Sequence, residues 1–307
     1  MKIIRPITIT TAMLTDSNVP EDDHAEWDVG TAYTTGDNCI VIGTTHKIYE
    51  ALVDVTGGDS PEVDVLNTVP KWLEISATNR WKAFDTIVGS QTSQATSITF
   101  EITPGVIVDS FAFLNMDCVS IQVVSTDPVD GEVYNETIDM LSTVITGGSG
   151  IYDWYTYFFS SYFKKVDAVR FDLPPFLDTV LSITITYPGG TVLCGGIIMG
   201  VQSYLGATQY SPTIGIHDYS VKQTDDYGTV TIVERAYSKK MTAEVLIESS
   251  SISDVQSILA SYRSTLLVWV GAENMPALIV YGFYKDFSIL ISYPTFAIMS
   301  LEIEGLT

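Results

Sequence analysis

The chain has 307 residues, and since soluble domains usually run roughly 100–200 residues, two or three structural units are expected. Fifteen Lys and Arg stand against 37 Asp and Glu, a formal net charge of −22 at pH 7. Such a chain lacks the cations that displace counterions from phosphates and is repelled by anionic bilayers, which argues against nucleic acid and membrane insertion as partners. Hydrophobic residues at 46% and charged residues at 17% supply packed cores and exclude a disordered chain.

The N-terminal run Met1-Lys2-Ile3-Ile4-Arg5-Pro6 passes straight into alternating Ile and Thr, with no apolar h-region or small-residue cleavage site, so no export signal is expected. The longest apolar stretches, such as Leu266 to Val270, fall far short of the roughly 20 residues of a bilayer span. Composition shifts divide the chain into four parts. Residues 1–24 read as an entry strand and an acidic linker around Pro20-Glu21-Asp22-Asp23, and residues 25–76 as a small three-stranded aromatic module.

Residues 80–200 read as a central β-sandwich of jelly-roll type. Ile98 to Ile102, Val119 to Val124 and Leu181 to Tyr187 alternate β-branched with polar residues, which places one face of each strand in a core. Turn-rich breaks at Thr103-Pro104-Gly105, Asp127-Pro128-Val129-Asp130-Gly131 and Pro188-Gly189-Gly190 separate them. The strand Thr92 to Thr99 is rich in Ser and Thr and lacks Lys, the composition either of an edge left open to pairing between subunits or of one covered within the monomer. Tyr152 to Lys165 has aromatics at both parities and fits either a doubly buried strand pair or a protruding loop.

Residues 201–307 read as a mixed β unit with one helix. Val230 to Val233 alternates as a strand should. After Ser253, taken as N-cap, Val255, Ile258, Leu259 and Tyr262 fall on one helical face, which predicts a helix lying over a sheet. The fold class expected is therefore mainly β.

The aromatic module runs Trp27-x-x-Gly30-x-x-Tyr33-x-x-Gly36-Asp37-x-Cys39, then Ile48-Tyr49-Glu50-Ala51, Gly57-x-x-Ser60-Pro61 and Trp72. A three-stranded sheet this small has little mass with which to bury four large aromatics, so some rings are expected to face solvent. This order resembles the small chitin-binding-type carbohydrate modules. The resemblance covers only this segment and makes Trp27, Tyr33, Tyr49 and Trp72 the candidate glycan-binding residues, their planes stacking on the C–H face of a pyranose. The competing reading makes Trp27 and Tyr49 the module's own core.

Lys71-Trp72-Leu73-Glu74-Ile75 and Asn79-Arg80-Trp81-Lys82-Ala83-Phe84-Asp85 follow. Together with Leu278 to Gly282, Lys285 to Ile289, Ser292-Tyr293-Pro294 and Leu301 to Leu306, they resemble segments of bacteriophage tail-tip proteins of the distal-tail kind. The resemblance implies a virion protein, assembled in the host cytoplasm, that forms an oligomeric ring or adaptor among other tail proteins (tube, hub, fibres). Glycan recognition at the host surface is the alternative function it allows.

Catalytic chemistry finds little support. His24, His46 and His217 fall in separate proposed units, so neither a metal cluster nor a nucleophile–base pair is expected. The acidic residues select no pair for glycoside hydrolysis, and Asp127, Asp130 and Glu132 around a Gly turn lack EF-hand spacing for calcium. Cys39, Cys118 and Cys194 lie in apolar settings and read as buried thiols. No cofactor or metal is expected, and the reading is non-enzymatic.

Overall fold

The computed structural model of the chain describes residues 1–145, 162–224, 227–291 and 293–306. It is mainly β, with 54% of residues in strands. In chain order, β1 (Lys2–Pro6) and β2 (Leu14–Ser17) precede the module of β3 (Ala32–Tyr33), β4 (Asn38–Ile42), β5 (His46–Ala51), β6 (Val55–Thr56), the one-turn helix α1 (Pro61–Asp64) and β7 (Trp72–Ala77). The centre holds β8 (Thr92–Ile102), β9 (Ser110–Asp117), β10 (Ser120–Asp127), β11 (Gly131–Asp139), β12 (Leu141–Ile145), β13 (Tyr162–Lys164), β14 (Ala168–Arg170) and β15 (Val180–Tyr204). The rest comprises β16 (Ala207–Thr208), β17 (Thr213–Asp218), β18 (Val221–Thr224), β19 (Val230–Val233), β20 (Tyr237–Glu248), α2 (Ile252–Ser261), β21 (Leu267–Val270), β22 (Ile279–Leu290) and β23 (Phe296–Gly305).

The predicted strands form where alternation placed them, and their apolar parity is buried: Ile98, Phe100 and Ile102 on β8, Ile121 and Val123 on β10, Leu181, Ile183 and Ile185 on β15. The long strand β15 turns a corner at Tyr187-Pro188-Gly189-Gly190, where its register against β8 jumps from Thr186↔Ser97 to Thr191↔Ala95. Extra residues on one strand force such a bend, and Gly189 and Thr96 take positive φ there. Before the corner β15 pairs with β10; after it, with β9 and then β1.

That last pairing places the entry strand centrally. Residues 2–6 form the expected strand, and β1 lies between β15 (Lys2↔Tyr204 to Pro6↔Gly200) and β21 (Lys2↔Val270 to Ile4↔Val268), joining the sandwich and the C-terminal unit into one fourteen-stranded sheet. Ile3 and Ile4 are fully buried on opposite faces, Ile3 in the core beneath α2 and Ile4 in a second cluster with Leu114, Val268 and Ile279. Burial on both faces is what a continuous apolar pair such as Ile3-Ile4 encodes.

The edge of β8 is covered within the chain at Phe100 to Ile102, where β2 pairs, and only in part along Thr92 to Thr99. β8 has β15 on one side and β2 on the other, and Asn18 extends the cover by donating to the Ser97 carbonyl at 2.9 Å and accepting from the Thr99 N–H at 2.8 Å. The helix appears as predicted, with Val255 and Leu259 buried and Ile258 and Tyr262 packed beside them. Its N-cap, however, is Ser251 rather than Ser253. Most of the Tyr152 to Lys165 run lies outside the described residues.

All three cysteines are buried and unpaired. Burial pushes the Cys39 thiol up to about 11 and, with help from the Asp117 carboxylate, Cys118 up to about 12; burial raises Cys194 as well. Because only the thiolate attacks a disulfide reagent, none of the three should react with Ellman's reagent in the native protein at pH 8, and all should react in denaturant. A thiol titrating within minutes under native conditions would contradict this packing.

Candidate assembly surface

The carbohydrate-module signature resolves into a folding signature. Tyr33, Tyr49 and Trp72 are 9%, 1% and 1% exposed and form the module's core with Cys39, Ala51 and Val55, while Trp27 packs half-buried against them. The Tyr33 and Trp72 rings meet edge to face at 5.1 Å, and the Tyr33 hydroxyl accepts the Asp28 N–H at 2.9 Å. Gly36 takes φ +94°, which a side chain disfavours, and Asp37 accepts both the N–H and the hydroxyl of Thr34. These hydrogen bonds hold the exposed Asp37 carboxyl below the usual carboxylate range.

The expectation of solvent-facing rings is therefore corrected for three of the four named glycan residues: Tyr33, Tyr49 and Trp72 are spent on the sheet's own interior, and only Trp27 stays partly exposed. A polar cleft of about 290 Å³ does lie beside Trp72, lined by Gly57, Gly58, Asp59, Asp64, Asn67 and Lys71 among others. Asp64 is committed structurally, accepting the N–H groups of Lys71 at 2.5 Å and Trp72 at 3.1 Å.

The Asn79-Arg80-Trp81 run is the joint between module and sandwich. Asn79 exchanges two hydrogen bonds with the Ser93 backbone, Arg80 donates to the Val19 carbonyl at 2.8 Å, and Trp81 is 2% exposed against His46 and Phe84. At this joint His46, one of the three histidines for which no nucleophile–base pair was expected, is buried and meets two side chains. The His46 Nδ1 lies 2.7 Å from Glu21 Oε1 and its Nε2 lies 3.2 Å from Thr11 Oγ1. Sequence reading missed the group because its members lie 10 to 35 positions apart in chain segments assigned to different units.

Hydroxyl, imidazole and carboxylate in this order have the outline of a nucleophilic triad. The surroundings tie each member elsewhere. The Thr11 hydroxyl has the Gly43 carbonyl at 2.7 Å and the Thr44 carbonyl at 3.1 Å, and Glu21 Oε1 also accepts the Thr78 hydroxyl at 2.6 Å. Such multiple satisfaction is what a structural latch needs. His46→Ala leaves the nearly buried Glu21 short of a partner, at an expected cost of about 2–3 kcal/mol. The module should then loosen, seen as faster proteolysis within residues 78–92; an unchanged cleavage rate would refute the latch.

The remaining feature is a projecting ribbon. β17 pairs with the start of β20 (Thr213↔Thr242 to Asp218↔Tyr237), and the same two chains continue as the β18–β19 hairpin (Val221↔Val233 to Thr224↔Val230). Ile214 and Ile216 stand opposite Met241 and Lys239, on the sheet face that carries Ala243 and Val245 into the core beneath α2. That face is covered at Met241 and bare beyond it: Ile214, Ile216 and Tyr237 are 50%, 58% and 55% exposed. Farther out Val230, Ile232 and Val233 are exposed on both faces of the hairpin. Val230 to Val233 was expected to have a core face; among the described residues no second layer packs on the hairpin to supply one. Among the described residues β17 is also an open edge, paired on one side only and without Lys or Pro, where solitary proteins usually place a blocking residue.

At the ribbon's root a cavity of about 260 Å³ opens between the sandwich (Val88, Leu114, Val166) and the C-terminal unit (Tyr237, Ile279, Leu306). Its wall carries an ion pair between the buried Asp167 carboxylate and Lys239, and Asp167 also accepts the Asn115 N–H at 3.0 Å. Burial, reinforced by Asp85, pushes the neighbouring Tyr281 phenol up to about 12.

Elsewhere, His24 is exposed and His217 lies against Tyr219 at 4.6 Å. Asp127 caps its own turn by accepting the N–H groups of Val129 and Asp130. Among the described residues no three His, Cys, Asp or Glu side chains are grouped to hold a metal, and no helix is long and apolar enough to cross a membrane. Compared with known proteins, the chain matches no family model, no curated protein and no solved structure.

Proposed function

We propose that the chain is a structural subunit of a bacteriophage tail tip that works as a homo-oligomeric ring or adaptor among the other tail proteins, and that it is not an enzyme. The observation that carries the assembly part is the bare extension of the sheet's core face along the ribbon. A monomer that leaves Ile214, Ile216, Val230, Ile232 and Tyr237 in water forgoes the burial that each would gain, roughly 1.5–3 kcal/mol for a fully buried Val or Ile, and obligate assemblies are where such surfaces are covered. The tail setting rests on the resemblance of the Asn79 to Asp85 and C-terminal segments. Gold-labelled antibody against the chain should mark the tail tip of virions; label confined to free host cytoplasm would refute it.

A second reading, glycan recognition, has the polar cleft beside Trp72 in its favour. On this reading Asp59→Ala should abolish retention on host surface polysaccharide without changing the fold. A wild-type chain retained by no such polymer removes the reading.

A further inference from the structure

The cavity at the seam between the sandwich and the C-terminal unit has walls fixed by hydrogen bonds of its own chain. It borders the second apolar cluster, of which Leu114, Ile279 and Tyr281 are buried members and Val88 and Leu306 partly buried neighbours. Its sandwich side turns on Asn115, which takes φ +51°, a left-handed conformation that a side chain keeps only where the surroundings over-determine it. The β9–β15 register passes over Asn115 and Gly195, going from Cys194↔Met116 to Gly196↔Leu114. The Asn115 side chain donates to the Val88 carbonyl at 2.7 Å, and its backbone N–H donates to the Asp167 carboxylate at 3.0 Å. Gly195 leaves the room for this, since a Cβ there would lie 2.7 Å from both Asn115 Cβ and the Val88 carbonyl oxygen. Three lining segments are thus tied together, and preformed, mostly apolar recesses between structural units are where small molecules bind.

The lining selects the ligand. An apolar cavity of about 150 Å³ takes benzene, so one of about 260 Å³ takes roughly ten non-hydrogen atoms. Among the described residues the charged side chains on the wall are Asp167 and Lys239, and they neutralise each other. A charged ligand would therefore lose its hydration with no counter-charge to meet. Tyr281 lines the same cavity at 9% exposure, and among the described residues no hydrogen bond reaches its hydroxyl. Burial keeps that phenol protonated at neutral pH, so it holds an unused proton, and such a donor gains most from a ligand that brings an acceptor.

We infer that this cavity binds a compact, uncharged, largely apolar molecule of about ten non-hydrogen atoms whose one hydrogen-bond acceptor takes the Tyr281 hydroxyl proton. The site lies within one copy of the chain, so the inference goes beyond the assembly reading and does not rest on it.

The test is calorimetric titration of the full chain with 2-naphthol, an uncharged probe of that size with one oxygen. The wild type should show one saturable site per chain with a Kd on the order of 10 µM, within the range open to so small a ligand. Val166→Trp, at a lining position that is 48% exposed, should fill the mouth and weaken binding more than about tenfold. Gly89→Trp, also at an exposed cavity position, replaces Val166→Trp if that variant loses the wild-type circular dichroism spectrum. Tyr281→Phe, which removes the hydroxyl alone, should weaken 2-naphthol about tenfold, the worth of one hydrogen bond. The carboxylate 2-naphthoate should bind the wild type at least about tenfold more weakly than 2-naphthol. No saturable binding, equal affinity in the wild type and a folded mouth variant, an unchanged affinity in Tyr281→Phe, or 2-naphthoate bound as tightly as 2-naphthol overturns the inference. Dissociation of an oligomeric wild type in step with 2-naphthol uptake would give the cavity to a second copy of the chain and overturn it as well.

Discussion

Gly200→Ala is expected to destabilise the protein by about 3 kcal/mol or more, the upper range for overpacking a tight site. Gly200 sits on β15 opposite Pro6 of β1, and a Cβ built there would lie 1.8 Å from the Arg5 carbonyl oxygen. A carbonyl in a paired strand has nowhere to go, so the change pushes β1 out of the sheet. Because β1 is the strand that joins the two halves, its loss exposes Ile3 and Ile4 and opens two interior edges together. At roughly 2–4 °C per kcal/mol for chains of this order of size, the thermal midpoint should fall by about 10 °C. Gly189→Ala separates clash from backbone strain: Gly189 has φ +75° with nothing within 4 Å of an added Cβ, so only the cost of the left-handed conformation applies, about 1–2 kcal/mol. Equal effects at the two positions would show that β1 is not held where described.

Trp72→Ala should cost about 3–5 kcal/mol, the usual penalty for emptying a large aromatic from a core. The indole is 1% exposed, and the module's core is no larger than Tyr33, Cys39, Tyr49, Ala51, Val55 and Trp72 with a few half-buried neighbours. A cavity in so small a cluster cannot be shared out by collapse elsewhere, so the module should unfold while the sandwich remains. Its signature is a low-temperature transition, separate from the main one, with loss of protease resistance confined to residues 25–76. Any loss of glycan retention in this variant would report unfolding and not a missing platform, which is why Asp59→Ala tests the cleft and Trp72→Ala does not. A fully folded module in Trp72→Ala would mean that the ring lies at the surface.

These two residues mark what the sequence made legible. Strand identity was local, written in the alternation of Ile98 to Ile102 and Leu181 to Tyr187, and it survived because burial on one face is decided within each segment. The helix was equally local, apart from a cap two residues early. Pairing is not local. Nothing within Lys2 to Pro6 announces that β21, more than 260 positions away, closes its far side, and the segment was therefore read as an entry strand and not as the strand between the two larger units. The same limit hid the meeting of His46 with Glu21 and Thr11.

Aromatic spacing was legible but ambiguous. Tyr33, Gly36-Asp37, Tyr49 and Trp72 recur together because a minimal sheet needs an aromatic core and a Gly-Asp turn, and a ligand is not required to explain them. The state of the β8 edge was undecided for a related reason. Ser and Thr without Lys describe any protected strand as well as any exposed one: on β8, β2 pairs Phe100 to Ile102 and Asn18 reaches Ser97 and Thr99, whereas among the described residues β17 pairs with β20 alone and leaves Ile214 and Ile216 in the open.

The mass of the purified wild-type chain in solution, followed by light scattering from low to high concentration, tests the assembly account most directly. A particle whose mass is a fixed multiple of 33.6 kDa, and which dissociates when Ile214 and Ile216 are both replaced by Asp, is the predicted result. A particle of 33.6 kDa at every concentration, unaltered by the same double substitution, would contradict it.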